Sequence, residues 1–344
     1  MQRELTQPSP LLARDGRLGQ VGWSRRPLLD CNLDAARFYP LRGLQWLRLK
    51  RWDYYGVTTP EFYFSATLAH LGYAGTVFVY VIDFATGAMH EETLLVPLGS
   101  GIRLPRNSDS GESTYTSKAA RLRFLAETGV RHVQVAWPGF NHGEGIEADL
   151  TMALSPTHES MNIVIPIPPR RFYFNRKVNC MPAKGWVKRG ERKVVIEPER
   201  SLGNLDWGRG VWDYSSFWVW ASASGFLPDG RTVGLNLGYG FGDTTAATEN
   251  ALILEGRIHK LDQVSFAYNP QDFMRPWHLS AAEGRLDLEF TPFKERVARS
   301  DVLVIHSEVH QIFGRYRGHV VADGGERISL QGLIGFAEEH HARW

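Results

Sequence analysis

Apolar residues along this chain recur with a period of two. From Phe62 to Leu98 the sequence reads FYFSATLAHL, a GYAG turn, TVFVYVIDF, an ATG turn and HEETLLVPL. Alternation at that period places successive side chains on opposite faces of a strand, and aromatic and β-branched residues suit a pleated surface. Tight glycine-bearing turns between such runs predict a meander of antiparallel hairpins. The same grammar returns in VQVAWP, IEADLTMAL, RFYFNRKVNC, KVVIEP, SSFWVWASASG, the PDG turn at Pro228–Gly230, RTVGLNLG, ALILEGRIHKLDQVSFAY, RLDLEFTP, DVLVIHSEVHQIFGRYRGHVV and ERISLQGLIGFAEE. Strands are therefore predicted from about Leu44 to the end of the chain. One stretch, SKAARLRFLAETG, reads as a helix: Ser117 can cap it, Leu122 and Leu125 share a face, and Gly129 can end it. So many short strands argue for closed or stacked antiparallel sheets. No repeat of 20 to 50 residues accompanies them, which disfavours a propeller or solenoid.

At 344 residues the chain exceeds what a single hydrophobic core usually organises, so two domains or one large all-β domain are expected. The glycine-rich loop GYGFGDTTAAT marks the predicted boundary, giving domains 1–243 and 244–344. Hydrophobic residues at 43% and charged residues at 22% describe an ordinary globular protein. The net charge of +2 hides a basic N-terminus. Arg3, Arg14, Arg17, Arg25, Arg26, Arg37, Arg42, Arg48, Lys50 and Arg51 face only Glu4, Asp15, Asp30 and Asp34 there. That excess admits peripheral contact with anionic lipid, whereas no motif for nucleic acid accompanies it; its plainest reading is a solvated basic arm. Cys31 and Cys180 have no metal-like spacing, and a reducing cytosol is the default compartment. No signal-peptide core and no membrane-length apolar run occurs, so a cytoplasmic protein that does not span the membrane is expected.

The usual chemical signatures fail one by one. GYGFGD would need its third glycine where Asp243 stands, and no βαβ unit surrounds it. His306 and His310, four apart on a strand, lie roughly 13 Å from each other and share no zinc. Glu338, Glu339, His340 and His341 are a better chelating cluster by composition, but with nothing to fix their geometry they read as a solvated tail. There is no GxSxG, Walker loop, HExxH or paired CxxC, which removes the commonest hydrolase, nucleotide and zinc readings, and no metal is expected.

What remains is NLDWGRGVWDYSSFWVWASASG, Asn204–Gly225, with four tryptophans. The strand period puts Trp218, Trp220 and Ser222 on one face and Phe217, Val219 and Ala221 on the other. Across the PDG turn, Thr232, Gly234, Asn236 and Gly238 form one face of the partner strand. Small residues opposite large indoles serve either a tight core or an apolar cavity.

These residues carry a resemblance. GRLGQVGWSRRPLLDCN, LKRWDYYGV, FNRKVNCMPAKGWVKRG, LDWGRGVWDYSSFWVW, GLNLGYGFGD, ENALILEGRIHKLDQVSF, HQIFGRYRG and GLIGFAEEH resemble the bacterial domain-of-unknown-function family 2804 across nearly the whole chain. More distantly, the order of a G-x-V segment, an Asp/Trp/Gly motif, a W-x-W strand, a DGR-type turn and a C-terminal Glu-bearing strand is similar to AttH, carotenoid hydratase and tocopherol cyclase proteins. The resemblance implies an all-β fold of two tandem lipocalin-like antiparallel β-barrels with little helix, holding an apolar prenyl, polyene or polyketide-like molecule without a cofactor. It makes Asp206 the candidate acid. Boxed by Trp207, Trp212 and Trp218, its proton could protonate an alkene while the indole faces stabilise a cation. The competing reading is a structural ion pair of Asp206 with Arg209 at a barrel rim. Trp207, Arg209, Trp212, Trp218, Trp220, Asn236, Glu249 and His310 make up the expected ligand-binding set. Two functions follow: a cofactor-independent isomerase, cyclase or hydratase, or a non-catalytic carrier of a lipid or fatty acyl chain.

Overall fold

A computed structural model describes residues 2–39, 41–302 and 305–343; Leu303 and Val304, inside a predicted strand, lie outside the described residues. The architecture is almost entirely antiparallel β. One sheet runs in the order 89–97, 74–83, 62–70, 49–58, 202–211, 171–189, 146–153, 130–137, 121–127 and 111–116, with shorter strands attached to its flank. The second runs 257–260, 251–254, 232–239, 215–226, 327–343, 305–321, 286–302, 277–281 and 264–267. Each sheet curls around its own core, as expected of two lipocalin-like units in tandem.

The alternation seen in the sequence sets which residues fill each core. Val77, Val79 and Val81 point into the first sheet's interior with Phe64, Leu68, Leu205 and Trp207. Val219, Ala221 and Ala223 point into the second with Leu235, Leu252, Ile312 and Ala337. The residues between them in sequence face outward, and the two outward faces pack on each other. Tyr54, Tyr63, Tyr80 and Ile82 of the first sheet meet Trp220, Phe313 and Phe336 of the second. A bulge in Arg171–Arg189, between Val178 and Met181, pins this junction. There Asn179 Nδ2 donates to Ser222 Oγ at 2.9 Å, and the Cys180 amide donates to Ser224 Oγ at 3.1 Å.

Four expectations change. The chain passes from one sheet to the other between Val211 and Ser215, not at residue 243. Ser215–Phe226 and Thr232–Tyr239 thus belong to the second unit, and the loop around Gly240 only connects two of its strands. The predicted helix is a strand, Arg121–Glu127. Leu122 and Phe124 are buried on one face, so a period of two lies beneath the helix-like capping residues. Ser117 does accept the Ala119 and Ala120 amides, but in a turn.

The basic N-terminus is no free arm. Leu5, Leu11, Leu12, Trp23 and Leu29 are buried, and Gly22–Ser24 pairs with Met161–Ile167. Gln2 reaches the second unit, donating to Asp262 Oδ1 at 2.8 Å. The acidic and histidine-bearing C-terminus is likewise no tail. It forms the strand Arg327–Arg343, in which Glu338, Glu339 and His340 are buried. Among the described residues, no helix is long and apolar enough to cross a membrane.

Candidate functional site

The junction between the sheets gathers the chemistry. Alternation along Leu202–Val211 turns Leu205, Trp207, Arg209 and Val211 into the first core and leaves Asn204 and Asp206 facing the second sheet. On the neighbouring strand Tyr173, Asn175 and Lys177 face the same way. Asp206 accepts hydrogen bonds from Lys177 Nζ at 2.9 Å and Asn175 Nδ2 at 2.6 Å. Lys177 also lies 3.8 Å from Glu249 Oε2, and its ammonium sits 3.4 Å from the centroid of the Trp220 ring. Trp220 Nε1 donates to Asn236 Oδ1 at 2.8 Å, and Asn236 Nδ2 donates to the Glu249 carbonyl at 2.8 Å. Gly238 leaves room for Glu249: a Cβ there would stand 2.6 Å from its Oε1.

The Asp206–Arg209 pair does not form. Residues three apart on a strand point to opposite faces, so Arg209 turns inward to Asp53 at 2.9 Å and Asp206 turns outward to Lys177. For the same reason Trp207 does not box Asp206. It lies in the first core, its ring 4.1 Å from the Arg209 guanidinium carbon, and borders a cavity of about 190 Å³ with Pro27, Asp30, Ser108 and Phe174.

His310 is also elsewhere. It bonds Glu295 and Glu308, stacking on Phe273, whereas Gln311, one position on, faces the junction. Trp212, Trp218, Trp220, Asn236 and Glu249 are brought towards Asp206's side of the strand. Trp212 meets Trp52 at 5.1 Å, Phe241 at 4.8 Å and Trp218 at 5.8 Å between ring centroids.

Sequence reasoning missed the group at the centre. Phe336, Glu338 and His340 occupy one face of the C-terminal strand, and Glu338 is held between Trp218 Nε1, donating to Oε1 at 3.2 Å, and Gln311 Nε2, donating to Oε2 at 3.1 Å. Behind Gln311 runs a line of phenols. Tyr80 donates to Gln311 Oε1 at 2.9 Å, Tyr80 and Tyr54 hydroxyls lie 2.9 Å apart, Tyr54 and Tyr63 hydroxyls 2.7 Å apart, and Tyr63 reaches Asn204 Oδ1 at 3.1 Å. The available signal is the period of two through GFAEEH, which puts Phe336 and Glu338 together.

Electrostatics separate the three carboxyls. Burial pushes Glu338 up to about 7, outweighing its donor Trp218 and the more distant Lys177 and Arg296. Burial raises Glu249 as well, opposed by Lys177 and reinforced by Asp206. One ammonium serves Asp206 and Glu249, and among the described residues no cation pairs with Glu338. Like charges crowded in a low-dielectric site favour keeping one carboxyl protonated, and Glu338 is the one without an ion pair. Two residues on, burial pushes His340 down to about 3, so its imidazole is neutral at neutral pH.

Comparison with known proteins agrees with this architecture. The profile of a family described as a domain of unknown function, DUF2804, matches residues 2–344. A protein from Nitrosomonas europaea assigned as an AttH shares the fold at a TM-score of 0.54 and 14% identity, covering 85% of this chain and 92% of its own. CghA, solved with Sch210972, superposes at a TM-score of 0.50 and 10% identity, over 86% of this chain and 88% of its own. Kievitone hydratase from Nectria haematococca gives a TM-score of 0.45 at 10% identity, over 86% and 88% of the two chains. Among curated proteins, none matches the sequence.

Proposed function

The chain belongs to the DUF2804 family, and from its junction site we propose that it binds an apolar small molecule there and acts on it as a cofactor-independent isomerase, cyclase or hydratase, with Glu338 as the acid. One observation carries the reading: a buried carboxyl that has no ion-pair partner among the described residues stands among Trp218, Trp220 and Phe336. Protonating a carbon–carbon double bond needs a desolvated acid already holding its proton. The proton passes from the Glu338 carboxyl to one alkene carbon, leaving a carboxylate and a carbocation. The cation then loses a neighbouring proton, is attacked by a second double bond to give a ring-bearing cation that loses a proton in its turn, or takes up water and releases a proton. In each case the released proton can restore Glu338. Indole faces attract such a cation by about 2 kcal/mol or more when water is excluded.

Asp206 takes a different part in this scheme. Both its oxygens already accept from donors, so it holds Lys177 over Trp220 and supplies negative charge opposite the developing cation. Glu249 is the second polar group, sharing Lys177 with Asp206. CghA, a fold neighbour solved with Sch210972, lends support to ligand handling by this architecture.

The test works with a substrate whose identity is unknown at the outset. Hydrophobes that co-purify are identified by native mass spectrometry, returned to the apo protein in D₂O, and assayed for deuterium on carbon. Wild type should introduce deuterium, and Glu338→Gln should retain the molecule while slowing incorporation by roughly two to four orders of magnitude. Unchanged incorporation by Glu338→Gln would remove that residue as the acid. A bound molecule that wild type leaves free of deuterium would make the protein a lipid or fatty-acyl carrier.

A further inference from the structure

One end of the first sheet exposes what a soluble surface usually hides. Leu41, Leu44 and Trp46 are 62%, 51% and 45% exposed, with Tyr39, Leu98 and Tyr214 near half exposed. Backbone contacts bring their segments together. The Leu98 amide donates to the Tyr73 carbonyl, Gly72 sits against the Leu47 carbonyl, and Arg48 reaches the carbonyl of Trp212, two residues before Tyr214. The 3₁₀ helix Arg42–Arg48 is tethered from behind by Gln45, which donates to the Ala36 carbonyl.

Residues 37–48 carry Arg37, Arg42 and Arg48 and no acid. Among the described residues neither Arg37 nor Arg48 has an ion-pair partner, and Arg48 Nε is buried with no hydrogen-bond partner. Isolated apolar residues on a surface need no explanation, but leucines, a tryptophan and tyrosines set among unpaired arginines form the combination that settles at the headgroup level of a bilayer.

The patch also adjoins a run of rings that leads to the site. Trp212, whose carbonyl Arg48 touches, begins a run of rings through Phe241 to Trp218, at 4.8 Å and 5.5 Å between centroids, and Trp218 bonds Glu338. We infer that the surface formed by Leu41, Leu44, Trp46, Leu98 and Tyr214, with Arg37 and Arg48, docks on an anionic lipid bilayer. From there an apolar molecule passes along Trp212 and Trp218 to the junction. The second step rests on the function proposed above; the docking does not.

Vesicle co-sedimentation tests the docking alone. The full chain should pellet with phosphatidylcholine–phosphatidylglycerol vesicles and far less with phosphatidylcholine vesicles, and high salt should weaken the binding. Leu44→Ser with Trp46→Ser should lower affinity by about tenfold or more, Arg48→Gln should erode the preference for the anionic lipid, and Val195→Ser, on an exposed site elsewhere, should bind as wild type does. Glu338→Gln should also bind vesicles normally, which separates failure of the docking from failure of the acid. Circular dichroism of the double variant must match wild type for its loss to count, and Arg48→Gln provides the independent arm. Absence of wild-type binding to anionic vesicles, or binding unmoved by both sets of changes, would overturn the proposal. So would a dimer in sedimentation velocity that the double variant dissolves, since a second copy would then own the surface.

Discussion

The strand Leu202–Val211 has two faces that share a backbone and almost nothing else. Its inward face, Leu205, Trp207, Arg209 and Val211, is packed in the first core. The one charge there is spent on structure: Arg209 donates to Asp53 and to the carbonyls of Trp52, Gly208 and Pro105. The outward face is Asn204, Asp206, Gly208 and Gly210. Two of these have no side chain: Gly208 makes room for an indole and Gly210 for the Phe172 carbonyl. A Cβ on Gly208 would fall 1.8 Å from Trp52 Cζ2. An ion pair occurs on each face, yet the inner one has one cation and one carboxylate in contact while the outer one has Lys177 between Asp206 and Glu249. Balanced charge holds a fold together; unbalanced charge under aromatic cover leaves a proton available.

The largest effect should come from breaking the inner pair. Arg209→Gln leaves Asp53 buried without its cation, and removal of one partner of such a pair costs about 3 to 5 kcal/mol. Urea unfolding should show that loss with an unchanged slope. A loss below about 1 kcal/mol would mean that the inward face is no more structural than the outward one.

Much of this contrast is legible in the sequence, and the failures share a cause. The faces of SSFWVWAS and of TVGLNLG follow from alternation alone, and Trp218, Trp220 and Asn236 stand where it puts them. Pairing Asp206 with Arg209 ignores that same alternation. Lys177 escapes notice because RFYFNRKVNC reads as an aromatic strand until Tyr173, Asn175 and Lys177 are taken as one face. Glu338 is hidden differently. A run of charged residues near the C-terminus looks solvated, and only pairing with Ser215–Phe226 and Ile305–Val321 buries it. That burial comes from contacts more than 100 residues apart in the chain for the first of these strands, and no local pattern encodes it.

Acidity is the next way to test the contrast. Glu338 has its proton affinity raised in the folded state to about 7 from 4.5. Its folded form therefore holds a proton that the unfolded chain releases. The associated stability is complete below pH 4.5 and is lost as pH rises to about 7, an effect on the order of 3 kcal/mol. His340 runs the other way, lowered from 6.5 to about 3: its contribution is complete above pH 6.5 and is lost as pH falls towards 3. Glu338→Gln should flatten the loss between pH 4.5 and 7 and leave the acid limb in place, as measured by urea midpoints across pH. An unchanged profile would show that Glu338 is not the protonated group.

Smaller still is the effect of filling the outward face. Gly208→Ala should cost about 1 to 3 kcal/mol by forcing Trp52 aside. Trp52→Phe, which removes the benzo ring the new methyl meets, should recover part of it in a double-mutant cycle. Additive losses would mean that the backbone, rather than the indole, refuses the methyl group.

The smallest effect carries the finest distinction. Between Asn204 and Gln311 there are four contacts, Asn204–Tyr63, Tyr63–Tyr54, Tyr54–Tyr80 and Tyr80–Gln311, and three phenol protons. If Asn204 and Gln311 both present oxygen to the tyrosines, one contact holds two oxygens and no proton. Asn204 Nδ2, meanwhile, is buried with no acceptor. Turning that amide end for end supplies the missing proton, because amide orientation is set by the network it must satisfy. The line then runs one way, from Asn204 Nδ2 through Tyr63, Tyr54 and Tyr80 to Gln311, whose own Nε2 donates to Glu338. In this arrangement Tyr54→Phe strands the Tyr63 proton and the Tyr80 oxygen and should destabilise by about 1 kcal/mol or somewhat more. If a contact without a proton persists instead, deleting the Tyr54 hydroxyl relieves a repulsion and the variant should be as stable as wild type or more so. Urea unfolding of Tyr54→Phe decides between them, with Tyr55→Phe, whose ring faces the first core, as the control on the inward side of the same strand.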